Sequence, residues 1–218
     1  MKKVLTALVG VATLALATPA SAAFTVTFTS TNPVPGNNDF QANLASAGLT
    51  QFTTSGATIT LSNDSQILFE FLGSESRFSD TFFTTGALPN VSLTETSSLE
   101  NHFASPVLIG VDQLFAGDMA NFFNFSSSGP GADATIGDDG FGIFLGPNAV
   151  TGLSTNVLYF GYDDQINMQD DNHDDFIVRA TILPAVPEPG TWAMMLLGFG
   201  AAGFAMRRQR KPALAQLA

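Results

Sequence analysis

The densest polar cluster in the sequence is Gly161-Tyr162-Asp163-Asp164 followed by Asp170-Asp171-Asn172-His173-Asp174-Asp175, running directly into Phe176-Ile177-Val178-Arg179. Six carboxylates fall within thirteen residues. So many like charges repel unless water or a cation neutralises them. Hard oxygen donors at alternate positions suit Ca²⁺, which accepts six to eight of them at about 2.3–2.6 Å. Asp163, Asp164, Asp170, Asn172, Asp174 and Asp175 are therefore the candidate calcium ligands. Asp170, Asn172 and Asp174 match the first part of an EF-hand loop. The rest departs from it: Asp175 stands where that loop needs Gly, and Thr181 where it needs a bidentate Glu. A strand-like run follows instead of a helix, so a calcium site here would sit in a β-loop. The competing reading is an acidic, solvated loop.

Other reactive constellations are sparse. Gly137-Asp138-Asp139-Gly140 is a second acidic turn, and Asp-Gly reads first as a hairpin signal. His102 and His173 are the only histidines and are distant in sequence. The chain has no cysteine, which excludes disulfides, thiolate catalysis and Cys-ligated zinc. No G-x-S-x-G elbow, H-E-x-x-H pair or phosphate loop occurs. No catalytic residue is assigned, and the expectation is a protein that is not an enzyme. The alternative is a secreted carboxylate-dependent hydrolase such as a glycosidase, which needs two carboxyls roughly 5–9.5 Å apart in a cleft.

The elements that must position these groups read as strands. Phe24-Thr25-Val26-Thr27-Phe28-Thr29 alternates apolar and hydroxyl residues, the period of a half-buried strand. Similar runs span 57–61, 66–72, 78–84, 91–95, 107–111, 141–145, 157–162 and 176–183, separated by loops rich in Gly, Asn, Asp, Ser and Pro. They predict a mostly β fold, an antiparallel, jelly-roll-like β-sandwich with one or two short helices. The helical candidates are 40–49 and 111–125. Eighteen of the 20 phenylalanines lie in this body and suit a sandwich core. Adjacent pairs such as Phe82-Phe83 and Phe122-Phe123 must point one ring to each side of an extended chain.

Both ends read as processing segments. Residues 1–22 combine Lys2 and Lys3, an apolar run and the small-residue site Ala20-Ser21-Ala22, the order of a signal peptide. Cleavage follows Ala22 or Ala23. The body, 23–183, carries 18 acidic residues against Arg77 and Arg179 alone, a net charge of −16. Such a surface repels phosphate backbones, so no nucleic-acid partner is expected. From residue 184 the composition changes to a proline-rich spacer, an apolar run from Thr191 to Met206, and Arg207-Arg208-Gln209-Arg210-Lys211. Sixteen apolar residues make about 24 Å of helix, short of the ~30 Å hydrocarbon core. The run predicts a short transmembrane helix that serves as a temporary anchor, its basic cluster cytoplasmic. Residues 212–218 form a cytoplasmic trailer.

Pro187-Glu188-Pro189-Gly190-Thr191-Trp192-Ala193, then the Gly-broken apolar run and the Arg cluster, resembles the PEP-CTERM sorting signal, of the PEP-x-x-W-A variety, in segment 184–211. The same tail is also catalogued as an ice-binding protein C-terminal domain, a label that implies nothing about ice. The resemblance gives Pro187, Glu188, Pro189, Trp192, Ala193, Arg207, Arg208 and Arg210 the role of sorting motif. It implies transient recognition by an exosortase in a Gram-negative bacterium, with the inner membrane as a staging post and the cell surface or exterior as destination. It also implies an association with exopolysaccharide and biofilm. The Asp-rich run is similar, more weakly, to the closing hairpin of several secreted β-sandwich domains. The expected protein is an exported, exosortase-sorted surface or matrix protein whose body is a candidate Ca²⁺-dependent binding module.

Overall fold

The computed structural model describes residues 21–86, 89–96, 99–131, 133–165, 172–184 and 189–209. Residues 1–20 of the signal segment, Asp170, Asp171, Pro187, Glu188, Arg210 and the trailer lie outside the described residues. The body is built of strands, and every described pairing is antiparallel. All nine strand-like runs form strands, and no sheet closes into a barrel.

An eight-stranded sheet runs in the order Asn32–Pro33, Gln51–Thr53, Phe141–Leu145, Val157–Tyr162, Phe176–Ile182, Ser65–Ser74, Glu100–Asn101, with Val107–Leu114 also pairing Ser65–Ser74. Two four-stranded sheets face it. One is ordered Gly117–Asp118, Thr58–Leu61, Phe24–Thr27, Leu153–Thr155; the other Ala134–Thr135, Phe123–Ser127, Asp80–Thr84, Ser92–Thr94. The main core draws on all three: Phe24 and Val26, Phe82 and Phe125, Phe69 and Phe160 are buried in one cluster. This is the sandwich-like layering the alternation predicts.

Aromatic rings fill that core. Phe125 stacks on Tyr162 with centroids 5.1 Å apart and planes 7° from parallel, and meets Phe82, Phe141 and Phe176 at tilted angles. Offset and tilted contacts of this kind satisfy the ring quadrupoles while burying large area. Phe82 and Phe123 are buried while Phe83 and Phe122 are half-buried, as the alternation of an extended chain requires. On the outer face of one small sheet, Thr25 lies opposite Thr60 and Thr27 opposite Thr58. The two Thr-x-Thr pairs form a cross-strand ladder, a favourable pairing in sheets.

The reverse face of the large sheet is covered as well. A short helix, Gln41–Ser46, inserts Leu44 beside Phe40, Val34, Phe52, Leu72, Phe144 and Ile177. That helix is the first helical candidate. The second, 111–125, is not helical. Val107–Leu114 continues as strand to its end, Gly117 adopts φ +132, and Phe123–Ser127 is a strand of another sheet. Leu114, Met119 and Phe123 are buried, but from three separate turns of chain and not from one helical face. Gly137-Asp138-Asp139-Gly140 is a turn without being a hairpin. It links Ala134–Thr135 to Phe141–Leu145, which belong to different sheets.

Candidate functional site

Antiparallel pairing explains why the acidic run converges. Val157–Tyr162 and Phe176–Ile182 are neighbours, with Tyr162 opposite Phe176, so Asp163-Asp164 and Asp174-Asp175 leave and enter the sheet at the same end. The Asp175 N–H donates to the Tyr162 carbonyl (3.1 Å), and the Asp164 N–H donates to Asp175 Oδ2 (2.7 Å). Asp163 caps its own turn, Oδ1 accepting the Gln165 N–H at 2.7 Å.

This end of the sheet is not a solvated loop. Asp163, Asp164 and Asp174 are wholly buried, and Asn172 and Asp175 nearly so. The lid is the segment before the short helix. Asn38 Nδ2 donates to the Asn172 carbonyl at 2.7 Å, Asn172 Nδ2 to the Asn37 carbonyl at 3.5 Å, and the Asp39 N–H to Asp174 Oδ2 at 2.6 Å. His173, at φ +57, turns its ring onto Phe52 (centroids 5.0 Å) and donates from Nε2 to the Asp139 carbonyl at 2.8 Å. The acidic turn at Asp138-Asp139 therefore has a second use, as acceptor for this histidine.

Sequence reasoning missed three partners. The strand Ser65–Ser74, beside Phe176–Ile182, ends at the same edge and delivers Glu75 and Ser76. The chain then crosses to the facing sheet and delivers Asp80. Nothing local marks these residues as ligands; only the sheet order brings them in. Ser76 Oγ donates to Asp164 Oδ2 at 2.9 Å. Two triads result, Asp80/Asp164/Asp175 and Glu75/Asp174/Asp175, and within each a carboxylate oxygen from every residue lies within 4.8 Å of the others. Asp175 belongs to both. Of the expected ligands, Asp164, Asp174 and Asp175 fall in these triads. Asp163 and Asn172 flank them, and Asp170 lies outside the described residues.

Burial sets the electrostatics. It pushes the Asp175 carboxyl up to about 9, with Asp164, Asp80 and Asp163 adding repulsion, against the pull of the Asp164 N–H. Asp80 is pushed up to about 7, again chiefly by burial. The Ser127 and Ser76 hydroxyls lie near enough to offset part of that, yet neither closes a hydrogen bond to an Asp80 oxygen. The Tyr162 phenol is raised by burial first and then by Asp80 and Asp164. Neighbouring chain leaves no slack: a Cβ on Gly131 would collide with the Asp164 carbonyl, and one on Gly161 with the His173 carbonyl.

A separate cavity of about 310 Å³ is lined by Asn43, Phe103, Tyr159 and Arg179 among others, and no carboxylate lines it. Arg179 is held there by Glu70, at 2.7 Å from Nη2 and 2.8 Å from Nε.

The tail forms one helix, Pro189–Gln209. Pro189 and Gly190 are its first turn and not part of an extended spacer, since proline's missing N–H is no loss at a first helical position. Met194, Met195, Leu196, Leu197, Phe199, Phe204 and Met206 are all exposed, as is Trp192. The expected transmembrane helix is corrected here. Among the described residues no helix is long and apolar enough to cross a membrane. Gly198, Gly200 and Gly203, with four alanines, dilute the apolar character of this one.

The all-antiparallel acidic body is followed by an apolar helix and a basic cluster, the layout of a protein carrying a C-terminal sorting tail. The tail is the PEP-CTERM protein-sorting motif, whose family model matches residues 185–211. The chain thus carries a PEP-CTERM protein-sorting tail, a motif that implies export, recognition by an exosortase and sorting to the envelope or surface of a Gram-negative cell. Pro189, Trp192, Ala193, Arg207 and Arg208 of the motif lie in the helix. No curated protein and no solved structure matches the chain.

Proposed function

We propose that this chain is a non-enzymatic surface or extracellular-matrix protein, delivered by an exosortase that cuts near Pro187-Glu188-Pro189 and associated with exopolysaccharide or biofilm. The observation that carries this reading is the sorting motif at 185–211. Before cleavage the exposed apolar helix holds the chain at the inner membrane. Afterwards the body, 23–183, is left at the surface or outside, and acts as a Ca²⁺-dependent binding module through its carboxylate-rich sheet end. The clustered acids favour this role over hydrolysis. They are buried between layers, while the cavity beside Arg179 has no carboxyl to act as acid or nucleophile.

Deleting residues 187–211 tests the delivery. The expected outcome is loss of processing and of surface attachment, and mass spectrometry of the wild-type mature product finds no peptide from Met206 onward joined to the body. Unchanged attachment and processing on deletion overturns the reading.

A further inference from the structure

The three carboxyls Asp80, Asp164 and Asp175 come from two facing sheets and are buried together. Asp80 is 0 % exposed, and neither of its oxygens has a hydrogen-bond partner; Asp164 Oδ1 has none either. Among the described residues the ion pairs are Arg179 with Glu70 and His102 with Glu100, so no described cation pairs with this triad. A buried carboxylate without a partner is among the most costly groups in a fold. Hydroxyl and amide donors are already committed around it: Ser76 Oγ to Asp164 Oδ2, and the Asp164 N–H to Asp175 Oδ2. One carboxylate oxygen from each of the three lies within 4.8 Å of the other two.

We propose that Asp80, Asp164 and Asp175 form a buried calcium centre that pins the start of the Asp80–Thr84 strand to the end of the large sheet. The donor set is all hard oxygen, which suits Ca²⁺ and disfavours metals that prefer nitrogen or sulfur. Coordination chemistry argues for calcium over magnesium: Ca²⁺ accepts flexible sets of six to eight oxygens, whereas Mg²⁺ demands near-ideal octahedral geometry and keeps several waters, which a buried carboxylate cluster does not favour. The three donor atoms lie within 4.8 Å of one another. The ion is structural: it replaces the repulsion of three acids with attraction and ties the two layers together at the edge of the aromatic core they share. This inference rests on the calcium-dependent reading of the body and sharpens it, adding to Asp164 and Asp175 a ligand that stands 84 positions before Asp164.

The test uses the full chain, stripped with EDTA and titrated with CaCl₂ by calorimetry, with thermal unfolding read in parallel. Wild type binds calcium and melts several degrees higher with it. Asp80→Asn, nearly isosteric, weakens binding at least tenfold and removes the thermal gain, while the control Asp138→Asn keeps both. Calcium binding unaltered by Asp80→Asn overturns this site and leaves the calcium-dependent reading standing. No heat and no thermal gain in wild type overturns both, and leaves the sorting assignment untouched. A second readout holds if Asp80→Asn fails to fold. Tb³⁺ in the same site takes energy from the nearby Tyr162 ring, so Tyr162→Phe strongly lowers calcium-displaceable Tb³⁺ emission; unchanged emission overturns the proposal.

Discussion

Gly131 passes so close to Asp164 that a methyl group on its Cα would overlap the Asp164 carbonyl oxygen and carbon. The obstacle is backbone on both sides, so no side chain can swing away. Gly131→Ala therefore has to displace the segment that presents the Asp164 carboxyl. Overpacking of this kind costs about 1–3 kcal/mol. Urea unfolding of Gly131→Ala reads that loss, whereas Gly36→Ala, with nothing within 4 Å, changes stability by less than about 0.5 kcal/mol.

Asn38 holds the lid with both ends of its amide. Nδ2 donates to the Asn172 carbonyl, and Oδ1 accepts the Phe40 N–H at 2.9 Å. It is buried, so truncation strands both main-chain groups. Asn38→Ala is expected to cost about 2–6 kcal/mol, from two unmade bonds at about 1–3 kcal/mol each. Hydrogen exchange then quickens at 37–40 and 172–175 together. Faster exchange at only one of these segments would refute the clamp.

Asp112 gives a pH signature remote from the carboxylate triads. It is enclosed within the sandwich, and burial raises its pKa despite the Thr84 hydroxyl bond at 2.6 Å to Oδ2. Because the folded form holds its proton to higher pH than the unfolded form, its contribution is fully present below about pH 4. It is lost as pH rises through the folded pKa. Asp112→Asn should match wild type at pH 4 and become the more stable protein toward neutrality. Parallel stability curves across that range would contradict this.

Arg179 and Glu70 face each other on adjacent inner strands, and their side chains are 30 % and 17 % exposed. Partial burial lifts the pair above an ordinary surface bridge, and solvent still screens it. A double-mutant cycle to alanine should return about 1 kcal/mol of coupling, lower in 1 M NaCl.

Strand content was legible because alternation is local: Phe24 to Thr29 announces its own burial pattern. The short strands were not. Asn32–Pro33, Gly117–Asp118 and Ala134–Thr135 are two residues each and carry no period. The stretch around Leu114, Met119 and Phe123 misled because buried residues from three chain turns imitate a helical spacing. At the candidate site, Asp164, Asp174 and Asp175 stood out by density. Asp80 did not, since an isolated acid before a strand resembles any other, and its neighbours are set by the order of sheets across the whole domain.

The first strand, Phe24–Thr27, begins one or two residues past the expected signal cleavage point, yet it lies between two partners, Thr58–Leu61 and Leu153–Thr155. The last, Phe176–Ile182, likewise lies between two others. Each inner slot is filled by a strand from one end of the body, so the two sheets are complete only when both ends of the body are in place.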